Sequence, residues 1–354
     1  MRRPRTKPEH APYRIAGQKI RIGGGVYGIA AEITDPAGWL WTLLSTADGT
    51  SGPAGIIGQV CRAHPAAAEP DVRDALNGLI AAGYMEDAAA AEPADFTPRE
   101  QERYARSMQY HRWVDLAPRS SPWDVQRMLR GARVVVIGLG GTGAAAALSL
   151  AASGIGHLHC IDADAVELSN LNRQVLYTEA DIGKPKADAA VARLRQLNSD
   201  VEITAGRRLI ASGDDCAAAV AGHDLLALCA DRPDDLRRWA NRACLDAKVP
   251  WVDGGYYGPL ITAGAYVPGV GACWECLRAG EPGSSVPRAP GHPATAVAAG
   301  LSGQLVAHLA MALLTGAMPV TPGTVYGINL MVPGEPVVIE HPRRSNCPAC
   351  AGAG

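Results

Sequence analysis

Three observations predict an α/β protein built on one large mixed sheet. Residues 134–137, VVVI, run straight into GLGGTG, as a buried parallel strand does when it turns tightly into a helix. From there to residue 253 short apolar runs alternate with helical periods, the pattern of a largely parallel, helix-covered sheet. Beyond it, residues 254–266 and 324–340 turn to glycine-rich strand pairs, an antiparallel second half. Two Cys-x-x-Cys pairs, Cys273/Cys276 and Cys347/Cys350, fit a four-sulfur zinc site within that half. A smaller, winged-helix-like domain precedes all of this, giving domains at residues 1–87 and 99–354 with a linker at 88–98.

The N-terminal elements justify that smaller domain. Residues 13–33 alternate in polarity and are broken by glycine, as short hairpin strands are. Three helical patches come next, at residues 36–47, 51–64 and 70–82. The last carries Val72, Ala75, Leu76, Leu79 and Ile80 at helical spacing and stops at Gly83, before a strand-like YMED. Strands, three helices and a closing strand make a winged-helix order. Without a basic recognition helix, the order points to protein binding rather than nucleic acid. Residues 88–98, AAAAEPADFTP, read as a linker that releases into a helix, PREQERYARSMQYHRW.

The glycine turn, Gly138, Gly140, Gly141 and Gly143, places backbone N–H groups at a helix N-terminus, where phosphate binds. A second strand, residues 157–161, ends in Asp162, about where an acidic side chain meets a ribose. On glycines alone an NAD or FAD domain, or a tight turn with no ligand, fits equally. The run past the second strand favours a triphosphate: Asp162, Asp164, Glu167, Ser169, Asn170, Asn172, Arg173 and Gln174 crowd charged and amide groups there. Arg173, and Lys186 in GKPKA, supply cations that a dehydrogenase does not need there.

At these residues the chain resembles the ThiF/MoeB family of ATP-dependent adenylating enzymes, related to ubiquitin-activating enzymes, over roughly residues 103–350. The resemblance implies that the glycine turn receives the phosphates and Asp162 the ribose, while Asn170, Arg173 and Lys186 hold the triphosphate. It implies that Asp231, in ALCADRPDD, holds magnesium, although Arg232 stands where the family commonly has Asn. Arg103, Tyr104 and Arg106 match the family's RYxR opening, and by the resemblance Arg106 reaches the partner subunit's phosphates in a homodimer. A solvated basic face is the alternative reading of that helix. Residues 281–293, EPGSSVPRAPGHP, occupy the place of the family's crossover loop; His292 within it reads as a bystander. No cysteine separate from the zinc pairs lies between residues 276 and 295, so no thioester with the enzyme is expected.

The wording of the N-terminal domain also looks like the leader-peptide recognition element of enzymes that modify ribosomally made peptides. Such elements bind a leader as an added strand on a sheet edge. A packing or dimerisation appendage is the alternative.

Composition narrows the class further. With 33 Lys+Arg against 35 Asp+Glu, the net charge is −2 and no long basic run exists, which argues against non-specific nucleic-acid binding. The longest apolar stretch, residues 294–312, is interrupted by Ser302, Gln304 and His308, and the N-terminus lacks an apolar run; neither a membrane span nor a secretory signal is expected. Two redox dithiols are the alternative to zinc. Cys61, Cys160, Cys216, Cys229 and Cys244 lie in apolar surroundings as core residues, and a reducing, cytoplasmic compartment is expected.

The expected activity is ATP-dependent adenylation of a carboxylate on a ribosomally made precursor peptide, with ATP, Mg2+ and Zn2+ as cofactors. Adenylation of a ubiquitin-like sulfur carrier is the rival. A non-catalytic partner that delivers leader peptide to a cyclodehydratase is the third reading, and Arg173, Lys186 and Asp231 count against it.

Overall fold

The computed structural model describes residues 1–278 and 293–351. The chain divides into two compact units, Met1–Arg127 and Met128–Gly354. The helix after the expected linker groups with the first of them.

In the first unit, β1 (Pro4–Thr6) precedes a three-stranded antiparallel sheet of β2 (Tyr13–Ile15), β3 (Lys19–Ile22) and β4 (Ala31–Thr34). Helices α1 (Trp39–Thr46), α2 (Pro53–Ala63) and α3 (Glu69–Ala81) come next, then β5 (Met85–Asp87) and α4 (Pro98–Val114). Alternation along β3 sends Ile20 and Ile22 inward, where they meet Leu43, Ile56, Val60, Val72, Leu76 and Met85 in one core. Helix α4 starts at a capping box in which Thr97 and Glu100 satisfy each other's backbone N–H groups. The closing strand β5 pairs with β1, Thr6 opposite Met85, and not with the hairpin strands. Nothing in PRT announces a strand: β1 is three residues long and takes its conformation from its partner.

The second unit begins as α5 (Asp124–Gly131) leads across the division into β6 (Arg133–Ile137), α6 (Gly141–Ala152) and β7 (His157–Ile161). Next come α7 (Lys186–Leu197), β8 (Glu202–Gly206), α8 (Gly213–Val220), β9 (Leu225–Leu228) and α9 (Leu236–Ala247). The chain finishes with β10 (Trp251–Tyr257), β11 (Leu260–Tyr266), α10 (Trp274–Arg278), α11 (Ala296–Thr315), β12 (Thr324–Asn329) and β13 (Pro336–Glu340). These strands form one eight-stranded mixed sheet in the order β13-β12-β11-β10-β9-β6-β7-β8. Strands β6 to β10 are parallel to one another, and β11 to β13 pair antiparallel. The order reverses direction at β6, which puts a topological switch point beside its carboxyl end.

Residues 251–257 depart from the expected division at residue 253. Strand β10 runs unbroken, pairing parallel with β9 through Asp253 and antiparallel with β11 through Tyr257. The glycines at 254 and 255 do not end it, because the β11 ladder continues past them.

Each face of the sheet has its own core. One joins Val134, Val136, Leu158 and Cys160 to α6, α7 and α11; the other joins Val135, Ile137, Leu226 and Leu228 to α8 and α9. Helix α11 is long and apolar enough by composition to cross a membrane. Within this unit it lies along α6 and the sheet, and Val306, Ala307 and Ala310 are buried in the first core. Gly303 makes the approach possible: a Cβ there would stand 2.4 Å from the Thr142 carbonyl oxygen.

Candidate active site

The glycine turn lies at the carboxyl end of β6 and opens α6, at the switch point. Gly138 has φ +89°, and a Cβ on it would come within 2.7 Å of Ala230. A Cβ on Gly143 would overlap the Gly138 carbonyl oxygen at 1.8 Å. Any side chain at either position would open the turn; its Gly138 and Leu139 N–H groups are bonded, to the Ile161 carbonyl oxygen and to Asp162, and those from Gly140 to Gly143 open α6 toward a ligand.

Asp162, just past β7, accepts hydrogen bonds from the Leu139 N–H (2.6 Å) and the Asp164 N–H (2.8 Å). It ties the turn to the second strand. Tyr177 braces the same turn by donating to the Leu139 carbonyl oxygen at 2.9 Å, and burial pushes its phenol pKa up. Asn170 is buried and accepts from the Glu167 N–H at 3.1 Å, fixing the short 3-10 turn that presents Arg173. The Arg173 guanidinium rests on the Ser169 carbonyl oxygen and Asn172 Oδ1, at 2.9 and 3.0 Å. Lys186, the first residue of α7, is 6% exposed, and its ammonium donates to Asp164 Oδ2 at 3.0 Å. One exposed carboxylate thus holds a buried cation.

Across the turn, after β9, Asp231 projects from the next parallel strand end, its side chain 70% exposed. Its Oδ1 accepts from Arg237 Nη2 at 2.9 Å, while Arg237 Nε donates to Asp253 Oδ2, also at 2.9 Å. Asp253 Oδ1 further accepts from the Gly264 N–H at 3.2 Å, and Tyr266 hydrogen-bonds the same carboxylate. Burial opposes the Arg237 charge, but the carboxylates of Asp253 and Asp231 more than offset it, and its pKa rises. Asp231 is therefore the exposed end of a relay anchored in the sheet. Gly255 lies beside the relay, a Cβ on it standing 3.9 Å from Arg237 Nη2 and 4.0 Å from Asp231 Oδ1.

Three participants escaped the sequence. Arg237 lies six residues beyond Asp231 in an arginine-rich helix, and Asp253 reads only as a strand end. Tyr256 is signalled by nothing but an aromatic pair, yet its hydroxyl would lie 3.2 Å from a Cβ placed on Gly141. Gln174, in the charged run but given no role there, is 3% exposed, and its Oε1 has no hydrogen-bond partner.

The four paired cysteines come together as expected. Their sulfurs all lie within 4.8 Å of one another, with Cys273–Cys347 at 3.6 Å, Cys276–Cys350 at 3.5 Å and Cys273–Cys276 at 3.8 Å. A tetrahedron with metal–sulfur bonds of about 2.3 Å has edges of about 3.8 Å. Second contacts fit a thiolate cage: the Asn241 amide approaches Cys273 Sγ at 3.7 Å and the Arg344 N–H approaches Cys276 Sγ at 3.5 Å. All four could hold zinc. The other cysteines sit among apolar groups, and burial pushes the Cys160 thiol up to about 12 and that of Cys216 to about 11.

Arg106 is exposed on α4 in the first unit, whereas the turn belongs to the second. Residues 281–292 of the expected crossover loop, with His292, lie outside the described residues.

The switch point of the parallel half is thus flanked by an antiparallel half that carries a four-cysteine cage. The ThiF family model matches residues 105–349, and the chain belongs to that family. It is an ATP-dependent adenylyltransferase. Over 172 residues it is 38% identical to the molybdopterin-synthase adenylyltransferase of Escherichia coli, covering 48% of this chain and 67% of that protein. Over 235 residues it is 34% identical to the sulfur carrier protein ThiS adenylyltransferase of E. coli, covering 65% and 90%. In fold it is similar to E. coli MccB, at a TM-score of 0.82 and 24% identity over 98% of this chain and 96% of that one. MccB crystallised with MccA-N7isoASN gives 0.79 and 22% over 99% of each chain.

Proposed function

We propose that the protein adenylates a carboxylate of a ribosomally made precursor peptide, whose leader binds the N-terminal unit. The observation that carries this reading is the extent of the fold likeness. MccB structures, including one with MccA-N7isoASN, match both units over nearly the whole of both chains, whereas the sulfur-carrier relative matches 65% of this chain.

The residues supply what the reaction needs. A peptide carboxylate is ionised near neutrality and attacks the α-phosphorus without a base, displacing pyrophosphate and leaving a mixed anhydride with AMP. The N–H groups from Gly140 to Gly143 and the cations of Arg173 and Lys186 take up phosphate charge, with Asn170 beside them and Asp162 toward the ribose. Arg106 reaches the phosphates of a partner chain, which makes the enzyme a homodimer. Asp231 would hold magnesium, which when bound would neutralise the pyrophosphate leaving group. Zinc in the cysteine cage would be structural, because four protein sulfurs leave no open position. No cysteine takes over the acyl group, so a nucleophile on the same peptide or a second molecule traps it.

Adenylation of a ubiquitin-like carrier ending in Gly-Gly is the second reading, favoured by the sequence identity to the ThiS adenylyltransferase. ATP–pyrophosphate exchange separates them. A short peptide with an intact leader should support exchange, and removal of the leader should raise its KM. Exchange driven only by a Gly-Gly carrier would replace the first reading with the second.

A further inference from the structure

Tyr256 stands at the phosphate turn without a structural task. It lies on β10, on the opposite face of the strand from Gly255, which approaches Asp231 and Arg237. Val252 and Gly254 share its face; Gly254 meets Val306 of α11, so this face turns toward α11 and α6. From there the phenol reaches over the first turn of α11. A Cβ built on Gly141 would lie 2.7 Å from Ala299 Cβ, 3.2 Å from Tyr256 Oη and 3.5 Å from the Arg173 carbonyl oxygen.

Gly141 is the first residue of α6, and a helical Cα–Cβ bond tilts toward the N-terminus. The hydroxyl therefore lies beside the first residue of α6, at the helix end that carries the unbonded N–H groups, and near the loop that carries Arg173. No hydrogen-bond partner for it occurs among the described residues. Tyr256 is half-buried. A phenol O–H is a neutral donor that carries no charge to be offset.

We infer that Tyr256 is a catalytic residue of the adenylation step, donating a hydrogen bond to a non-bridging oxygen on the α-phosphorus as the carboxylate adds and pyrophosphate leaves. This rests on the proposed adenylation and adds to it a residue outside the nucleotide motifs. The bond forms to an oxygen whose charge changes during transfer, and such donors act mainly on the rate and weakly on ground-state ATP binding.

The test is Tyr256→Phe, which keeps the ring and removes the donor. Exchange kcat should fall roughly 10- to 100-fold, with ATP affinity and thermal stability near wild type. ATP carrying sulfur at the contacted non-bridging α-position gives a readout that packing alone would not move. Sulfur accepts hydrogen bonds weakly, so with one ATPαS diastereomer the two proteins should become nearly equal, while the other keeps the gap. A Tyr256→Phe variant as fast as wild type overturns the inference and leaves adenylation standing, as does an equal defect with both diastereomers. Wild-type protein that exchanges no pyrophosphate removes the adenylation reading and this inference with it.

Discussion

Replacing Arg237 by Met tests the relay beneath Asp231. The Arg237 side chain is 24% exposed and bonds two carboxylates, the Asp253 side chain being 13% exposed and that of Asp231 70%. Loss of the Asp231 contact costs little, because that carboxylate is open to water. Loss of the Asp253 contact strands a mostly buried charge, for which one-sided removal costs about 3–5 kcal/mol. The Gly264 N–H and Tyr266 hydroxyl still serve Asp253, and Arg237 is not fully buried, so a smaller loss than that, about 2–3 kcal/mol, is expected. Adding Asp253→Asn should recover part of that loss, since a neutral amide keeps hydrogen bonding without a stranded charge. Chemical denaturation of wild type, both single variants and the double variant measures the coupling. If Arg237→Met costs under about 0.5 kcal/mol, or the double variant shows the plain sum, the relay is not a coupled unit.

Elemental analysis should find about one zinc per chain, and Cys273→Ser should lower metal content and stability together; a metal-free, fully folded preparation would refute the cage. Asp231→Ala should abolish magnesium-dependent exchange while leaving leader affinity near wild type, measured by calorimetry. Mixing inactive Arg106→Ala with inactive Asp231→Ala should restore roughly a quarter of wild-type activity, because half the dimers are mixed and each carries one intact site. A dead mixture would mean Arg106 does not serve its partner. His111 is buried and its pKa is lowered to about 4, chiefly by desolvation. Below the unfolded value of about 6.5 the unfolded state binds more protons, so the N-terminal unit should lose up to about 3 kcal/mol as pH falls toward 4. His111→Gln should flatten that slope in acid-unfolding curves.

How far along the chain a constraint reaches decides whether it is legible in the sequence. The glycine turn is legible because steric limits act within six residues: Gly138 needs a positive φ and Gly143 needs the absence of a side chain. The cysteine pairs are legible because metal geometry fixes the spacing inside each pair. The fold class is legible in the alternating periods of adjacent elements. Asp253 and Tyr256 were hidden, since their roles depend on which face of β10 each residue takes and on the register of β10 with β9 and β11. Strand β1 was hidden because PRT has no apolar alternation and pairs with a strand some eighty residues away. Arg237 was hidden in a run of charged residues whose composition also suits a solvated helix face; only the fold brings it between two carboxylates.

Oxygen transfer from the substrate tests the central claim most directly. A precursor peptide labelled with 18O in its carboxylates should, on incubation with the enzyme and ATP, yield AMP bearing one 18O on phosphorus, because the attacking oxygen stays with the phosphate when the mixed anhydride opens at the acyl carbon. Unlabelled AMP, or release of ADP and phosphate in its place, would contradict adenylation of the peptide.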